Sequence, residues 1–142
     1  MKLKLSEIFE IILAVVLIIA LILKNAHIPY MSLLFLLSAG ILATLYFYGG
    51  FFLFKSPGIK PVYTVIYGLI FSLAMIALIF KSQKWPFSRM YLAISIICLL
   101  ILAFARIISV YLIRNKEILQ YNKGIAIRYG VLLISMLCLI FY

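Results

Sequence analysis

The chain has 142 residues, of which 68% are hydrophobic and 11% charged, whereas a soluble domain carries about 25% charged residues. About a third of the surface of an unfolded chain of this size stays exposed after folding. In water, a folded form of this chain would therefore leave a large apolar surface exposed to solvent. The composition excludes an ordinary water-soluble domain and predicts a protein surrounded by lipid.

The net charge of +10 does not indicate nucleic-acid binding, because the 13 Lys and Arg are spread over the ends of apolar runs rather than clustered on one face. Basic flanks commonly determine membrane topology and contact anionic headgroups. The expected partners are therefore membrane lipids and other integral membrane subunits, and no nucleic acid.

Lys2 and Lys4 precede an apolar run, as in a signal peptide, but no small-residue cleavage site follows before Lys24, which predicts a retained helix.

Hydropathy predicts five membrane helices, at about residues 6–23, 31–54, 62–80, 88–113 and 125–142. Each must be helical because lipid-facing backbone groups have to be satisfied within their own segment. The connection at residues 114–123 is predicted to be longer and more polar than the others. The fifth helix has uncharged residues only at 129–142, so it crosses the bilayer only if residues 124–128 are included or the bilayer thins. The predicted fold is all-α, an integral membrane helical bundle within a single transmembrane domain over residues 1–142.

A short basic, aromatic and proline-containing phrase occurs twice, as KNAHIPY at residues 24–30 and as KSQKWPF at residues 81–87. Similar apolar segments flank both copies, so the phrase predicts two tandem helical hairpins, repeat 1 at about 6–54 and repeat 2 at about 62–113. A C-terminal helix at about 125–142 follows them. Two spans separate the copies, which makes the repeat parallel rather than inverted.

The repeated loop combines three physical roles. Lysine is expected to snorkel to the headgroups, the aromatic ring to anchor at the interface, and proline to end the incoming helix and suit the start of the next. The sequence offers no further residues that could bind a metal ion together with His27, so His27 is expected to be an interfacial polar residue. The candidate repeat-loop residues are Lys24, His27, Pro29, Tyr30, Lys81, Lys84, Trp85, Pro86 and Phe87.

Basic residues are unequally divided between the two ends of the predicted bundle. Eight lie on the N-terminal side and four, Lys24, Lys81, Lys84 and Arg89, on the opposite side. The positive-inside rule then predicts a cytoplasmic N-terminus and extracytoplasmic proline loops.

Few residues in the sequence could carry chemistry. The chain has no Asp, one His and three Glu, which leaves no carboxylate pair, no His/Cys cluster and no glycine-rich phosphate loop. We therefore expect no catalytic, cofactor-binding or metal site and a protein that is not an enzyme. Cys98 and Cys138 lie in apolar runs and are expected to act as small hydrophobic residues.

Two charges fall inside predicted helices, Glu10 in the first and Arg106 in the fourth. Both lie toward the cytoplasmic side, and a charge in hydrocarbon is usually paired or faces the bundle interior. One hypothesis is an intramembrane ion pair of Glu10 with Arg106, joining helix 1 to helix 4. The alternative is that Arg106 snorkels to the surface and Glu10 reaches water.

Small residues recur at a spacing of four in two predicted helices. Ala39 with Ala43, and Gly68 with Ser72, would each lie on one helix face. Such faces permit close helix approach and predict packing within the bundle.

The phrase Lys-x-x-[His/Lys]-[Ile/Trp]-Pro-aromatic, set between two long apolar helices, resembles the N-terminal region of the gliding motility protein GldL family of Bacteroidota. In that family a Lys-x-x-His-Trp-Pro turn joins two membrane helices, and the resemblance covers roughly residues 8–113 as two hairpins. Motor members of the family are thought to use an acidic residue in the second helix and continue into a large cytoplasmic domain. Residues 31–54 and 88–113 contain no Asp or Glu, and we expect no such cytoplasmic domain. The resemblance thus implies a hairpin scaffold in a bacterial inner membrane, without the motor.

The leading functional hypothesis is a non-enzymatic multi-pass inner-membrane protein that serves as an accessory or scaffold subunit of a larger membrane complex. A small transporter or channel is an alternative, although it would need a polar path across the bilayer, for which the predicted helices offer few groups. A membrane immunity or resistance protein that shields a membrane target is another.

Overall fold

A computed structural model describes residues 5–55, 60–112 and 116–140, with side chains described at 8–55, 60–108 and 125–137. These residues form five helices and contain no strand, which confirms the all-α prediction. Residues 56–59, Arg114 and the side chain of Cys138 lie outside the described part. The helices are α1 (Leu5–Asn25), α2 (Met31–Leu53), α3 (Pro61–Ser82), α4 (Ser88–Leu112) and α5 (Lys116–Ile140).

Four of these helices are long and apolar enough to cross a membrane, over Ile8–Asn25, Met31–Leu53, Pro61–Ser82 and Ser88–Ile108. This supports the predicted multi-pass membrane bundle. Among the residues whose side chains are described, α5 contributes a shorter apolar stretch, Ile125–Leu137.

The predicted start of the fifth helix, at residue 125, is wrong. Helix α5 begins at Lys116, so most of the predicted polar connection at 114–123 is helical. The reason is that polar side chains such as Lys and Glu are good helix formers, and hydropathy detects only the part of a helix that prefers lipid.

Helix α3 lies at the centre of the bundle and packs against α2, α4 and α5. Helix α1 packs mainly against α2 and also contacts α5. The first two helices therefore form one hairpin and α3 with α4 a second, and α5 packs on both hairpins.

The backbones of α2 and α3 touch where Gly50 faces Gly68. A Cβ atom built on Gly68 would lie 2.5 Å from the carbonyl oxygen of Tyr46, and one built on Gly50 would lie 2.7 Å from the Cα of Gly68. Only glycine allows this separation, which is the small-residue packing expected between membrane helices. Ser72, one turn further along α3, is also buried, as are Ala39 and Ala43 of α2.

The opposite face of α2 is open. A groove of about 570 Å³ runs along it, and a Cβ atom built on Gly40 would meet no other atom within 4 Å. The Thr44 hydroxyl donates to the Gly40 carbonyl at 2.9 Å, so the polar group is satisfied within the helix. The groove is lined by Leu36, Leu37, Gly40, Ile41, Thr44, Leu45, Tyr48 and Gly49.

Candidate functional site: the paired turns and the buried ionic cluster

The turn between α1 and α2 ends the first helix with a left-handed residue, His27, at φ 58°. The N–H of His27 donates to the carbonyl of Lys24 at 3.0 Å, and the N–H of Ile28 donates to that of Leu23 at 3.2 Å. This pair of bonds is a Schellman motif, which satisfies the last carbonyls of a helix.

The turn between α3 and α4 repeats this geometry 57 positions later. Lys84 is left-handed at φ 55° and its N–H donates to the carbonyl of Lys81 at 3.2 Å. The N–H of Trp85 donates to the carbonyl of Phe80 at 3.0 Å. The sequence repeat is therefore a repeat of backbone conformation and hydrogen bonding.

The aromatic residue after each proline is also left-handed, with φ 66° at Tyr30 and φ 60° at Phe87. Each of these carbonyls accepts hydrogen bonds from the first turn of the next helix, from Leu34 at 3.2 Å and from Tyr91 at 3.1 Å. The outgoing helices begin one residue after the aromatic and not at the proline. Tyr30 and Phe87 are 83% and 74% exposed, as expected for interfacial anchors.

Lys24 joins the two turns. Its Nζ donates to the carbonyl of Ser82 at 2.7 Å, and it also contacts the Ser82 hydroxyl. A second link runs from Gln83 Nε2 to Ser32 Oγ at 3.4 Å. A cation at the C-terminal carbonyls of α3 complements the helix dipole, so Lys24 caps a neighbouring helix instead of snorkelling away as predicted.

A buried ionic cluster lies at the other end of the bundle. Arg128 donates from Nε to Oε1 of Glu10 and from Nη2 to Oε2, both at 2.6 Å. The hydroxyl of Tyr46 donates to the same Oε1 at 2.8 Å. Glu10 is only 3% exposed, so its carboxylate is held by α5 and α2 within the bundle.

The structure corrects the predicted pair of Glu10 with Arg106. Glu10 binds Arg128, and the Arg106 guanidinium lies 4.5 Å from the centre of the Tyr67 ring, in a cation–π contact. Glu10 and Tyr67 are 57 positions apart, so they occupy equivalent places in the two hairpins. Each hairpin thus presents one polar side chain at the same level, and each is contacted by an arginine.

Aromatic rings surround these arginines. Arg128 lies 5.2 Å from the centre of the Phe54 ring, and Phe54 packs at 5.4 Å on Phe71. Phe71 in turn contacts Tyr46 at 5.5 Å and Tyr129 at 5.1 Å. Phe54 and Phe71 are fully buried, so the cluster sits against a tightly packed apolar wall.

Sequence reasoning missed Arg128 and Tyr46 as partners of Glu10. Arg128 directly precedes the uncharged run at residues 129–142, which indicates a position at the membrane boundary, and the sequence around Tyr46 does not indicate a polar partner. A helix-face argument could have found Tyr46, because it shares a face with Ala39, Ala43 and Gly50, which also pack inward.

Metal-ion chemistry has no visible site in the described residues, which hold no group of three or more metal-ligating side chains. The chain matches no protein-family model, and no curated protein or solved structure is significantly similar to it. The resemblance to the GldL family therefore stays a prediction from the repeated turn.

Proposed function

We propose that the protein is a non-enzymatic scaffold or accessory subunit of a larger complex in a bacterial inner membrane. The main support for this proposal is that the carboxylate of Glu10 is fully engaged by side chains of the bundle. Both carboxylate oxygens of Glu10 bind Arg128, and Tyr46 supplies a third hydrogen bond. These side chains hold α1, α2 and α5 together, so the cluster has a structural role.

A carrier or channel would use such intramembrane charges differently. It needs polar groups that can exchange their partners for a substrate along a path. A carboxylate with a bidentate arginine and a tyrosine hydroxyl already has its strongest acceptor positions filled. The geometry therefore favours the scaffold over the transport alternative.

The outward surface suits packing against other membrane helices. Ile101, Phe104 and Ile107 of α4 are 63%, 69% and 66% exposed, and the groove on α2 adds a concave apolar face. Within a bilayer such surfaces are covered by acyl chains or by the helices of companion subunits. The paired turns keep the two hairpins in a fixed relation, as a scaffold requires.

Purification of the tagged protein from its native membrane in a mild detergent, followed by mass analysis, tests the proposal. We expect companion membrane proteins at stoichiometric amounts. A matched sample with Glu10→Leu, in which α1 is no longer tied to α5, should lose them. A lone monomer, or uptake of a solute by vesicles containing only the purified protein, would contradict the scaffold function.

A further inference from the structure

The end of the bundle that carries both proline turns, which we call the turn end, is cationic, and its described residues include no Asp or Glu. No acidic residue occurs in the sequence between Glu10 and Glu117. The residues of the turn end that carry or can accept a positive charge are Lys24, His27, Lys81, Lys84 and Arg89.

The fold gathers these charges from both repeats. The bond of Lys24 to Ser82 and the bond of Gln83 to Ser32 fasten one turn to the other. The bond to Ser82 brings Lys24 of one turn to a residue only two positions before Lys84 of the other, so positive charges from both repeats meet at the turn end. An anion there would reduce the repulsion between these charges.

The backbone gives a second, independent indication. His27 and Lys84 occupy left-handed positions where glycine is usual, and a side chain there strains the backbone. Both repeats nevertheless place a basic side chain at this strained position. Backbone strain at the same position of both repeats is an observation from which a function of these side chains can be inferred.

The depth of the turn end identifies the ligand chemistry. Exposed rings of Tyr30, Trp85 and Phe87 flank the cations, and such rings settle at the level of lipid headgroups. Lysine and arginine at that level meet phosphate oxygens, which are strong acceptors for charged donors. We propose that the turn end is a binding site for the phosphate group of anionic phospholipids, with Lys84 and Arg89 as its principal cations. The proposal does not depend on the scaffold function.

Trp85 provides the measurement, because it is the only tryptophan in the chain and lies beside Lys84. The detergent-solubilised protein is titrated with short-chain phosphatidylglycerol, with phosphatidylcholine and with inorganic phosphate, and Trp85 fluorescence is followed. Each cation near an anionic surface contributes about fivefold to binding, so we expect phosphatidylglycerol to bind at least about tenfold more tightly than phosphatidylcholine.

The variant Lys84→Gly/Arg89→Gln removes two cations while keeping the turn, since glycine favours the left-handed conformation. We expect its affinity for phosphatidylglycerol to fall about 25-fold. The control Lys55→Gln/Lys60→Gln removes two charges at the opposite end and should leave the affinity unchanged. Retention of lipid in native mass spectrometry gives a readout that does not depend on Trp85, and circular dichroism checks the fold.

Three results would overturn the proposal. The first is equal affinity for the two lipids, and the second is an unchanged affinity for phosphatidylglycerol in the Lys84→Gly/Arg89→Gln variant. The third is binding of inorganic phosphate as tight as that of phosphatidylglycerol, which would identify a free phosphate as the ligand instead of a lipid.

Discussion

Arg128 binds the carboxylate of Glu10 through two parallel hydrogen bonds of 2.6 Å, although the residues are 118 positions apart in the sequence. A bidentate arginine pair of this kind combines strength with a fixed orientation. It closes the bundle, because Glu10 belongs to the first helix and Arg128 to the last. Removing one partner of a buried pair leaves a charge without compensation, whereas removing both leaves none.

We therefore expect Glu10→Leu and Arg128→Leu each to lower the free energy of unfolding by about 3–5 kcal/mol. The double variant Glu10→Leu/Arg128→Leu should recover most of that loss. Thermal unfolding of the purified variants in detergent measures the effect.

Arg106→Leu supplies the control for this pair. Combined with Glu10→Leu, it should show a coupling energy well below that of Arg128→Leu, because Arg106 stacks on Tyr67. Stronger coupling of Glu10 to Arg106 than to Arg128 would instead support the Glu10–Arg106 ion pair predicted from the sequence.

Tyr46→Phe removes the hydroxyl that donates to Glu10 and keeps the buried ring. A hydrogen bond to a charged group contributes about 1.5–3 kcal/mol, so the thermal midpoint should fall. Tyr48→Phe on the same helix is the matched control. The Tyr48 side chain is 76% exposed, and its loss of a hydroxyl should change stability by less than about 0.5 kcal/mol.

The parts of the fold that follow from local chemistry could be predicted from the sequence. Helix α4, predicted at 88–113, runs over Ser88–Leu112, because a long apolar run between a proline turn and charged residues has clear boundaries. The repeated phrase likewise predicted two similar turns. Both results depend on residues that are near one another in the chain.

The partner of Glu10 could not be predicted, because it depends on which helices are neighbours. Arg106 and Arg128 were both available at the same end of the bundle. No feature of the sequence predicts that α1 contacts α5. In addition, the first turns of α5 are polar, so hydropathy does not detect that this helix begins at Lys116. Hydropathy predicts how deep each residue lies in the membrane. Which helices are neighbours is determined by side-chain packing between them.

Gly68→Ala should destabilise the protein by pushing α3 away from α2. The added methyl group would meet the backbone carbonyl of Tyr46 at 2.5 Å, and backbone cannot move aside as a flexible side chain can. We expect a loss of about 1–3 kcal/mol, typical of overpacking. Gly40→Ala is the control, because its methyl group meets nothing within 4 Å. It should be neutral or raise the thermal midpoint, since alanine favours helix. Equal loss in both variants would contradict the close approach of α2 and α3.

His27→Gly should stabilise the protein, in contrast to most substitutions. His27 is left-handed at φ 58°, and glycine adopts that conformation without the cost of about 1 kcal/mol that a side chain brings. Ala26→Gly, one residue earlier, is the control and should be neutral or destabilising. A lower thermal midpoint for His27→Gly would show that the imidazole contributes more than the backbone strain removes.

Labelling with a membrane-impermeant maleimide tests the topology on which the inner-membrane proposal depends. In a variant with Cys98→Ser and Cys138→Ser, a single cysteine is introduced as Lys84→Cys or Lys60→Cys. Both positions are exposed, and they lie at opposite ends of α3. Because eight basic residues favour the cytoplasm against four, intact cells should be labelled at Lys84→Cys, and Lys60→Cys should react only after permeabilisation. The reverse pattern would invert the orientation, whereas labelling of both positions in intact cells would mean that α3 does not span the membrane.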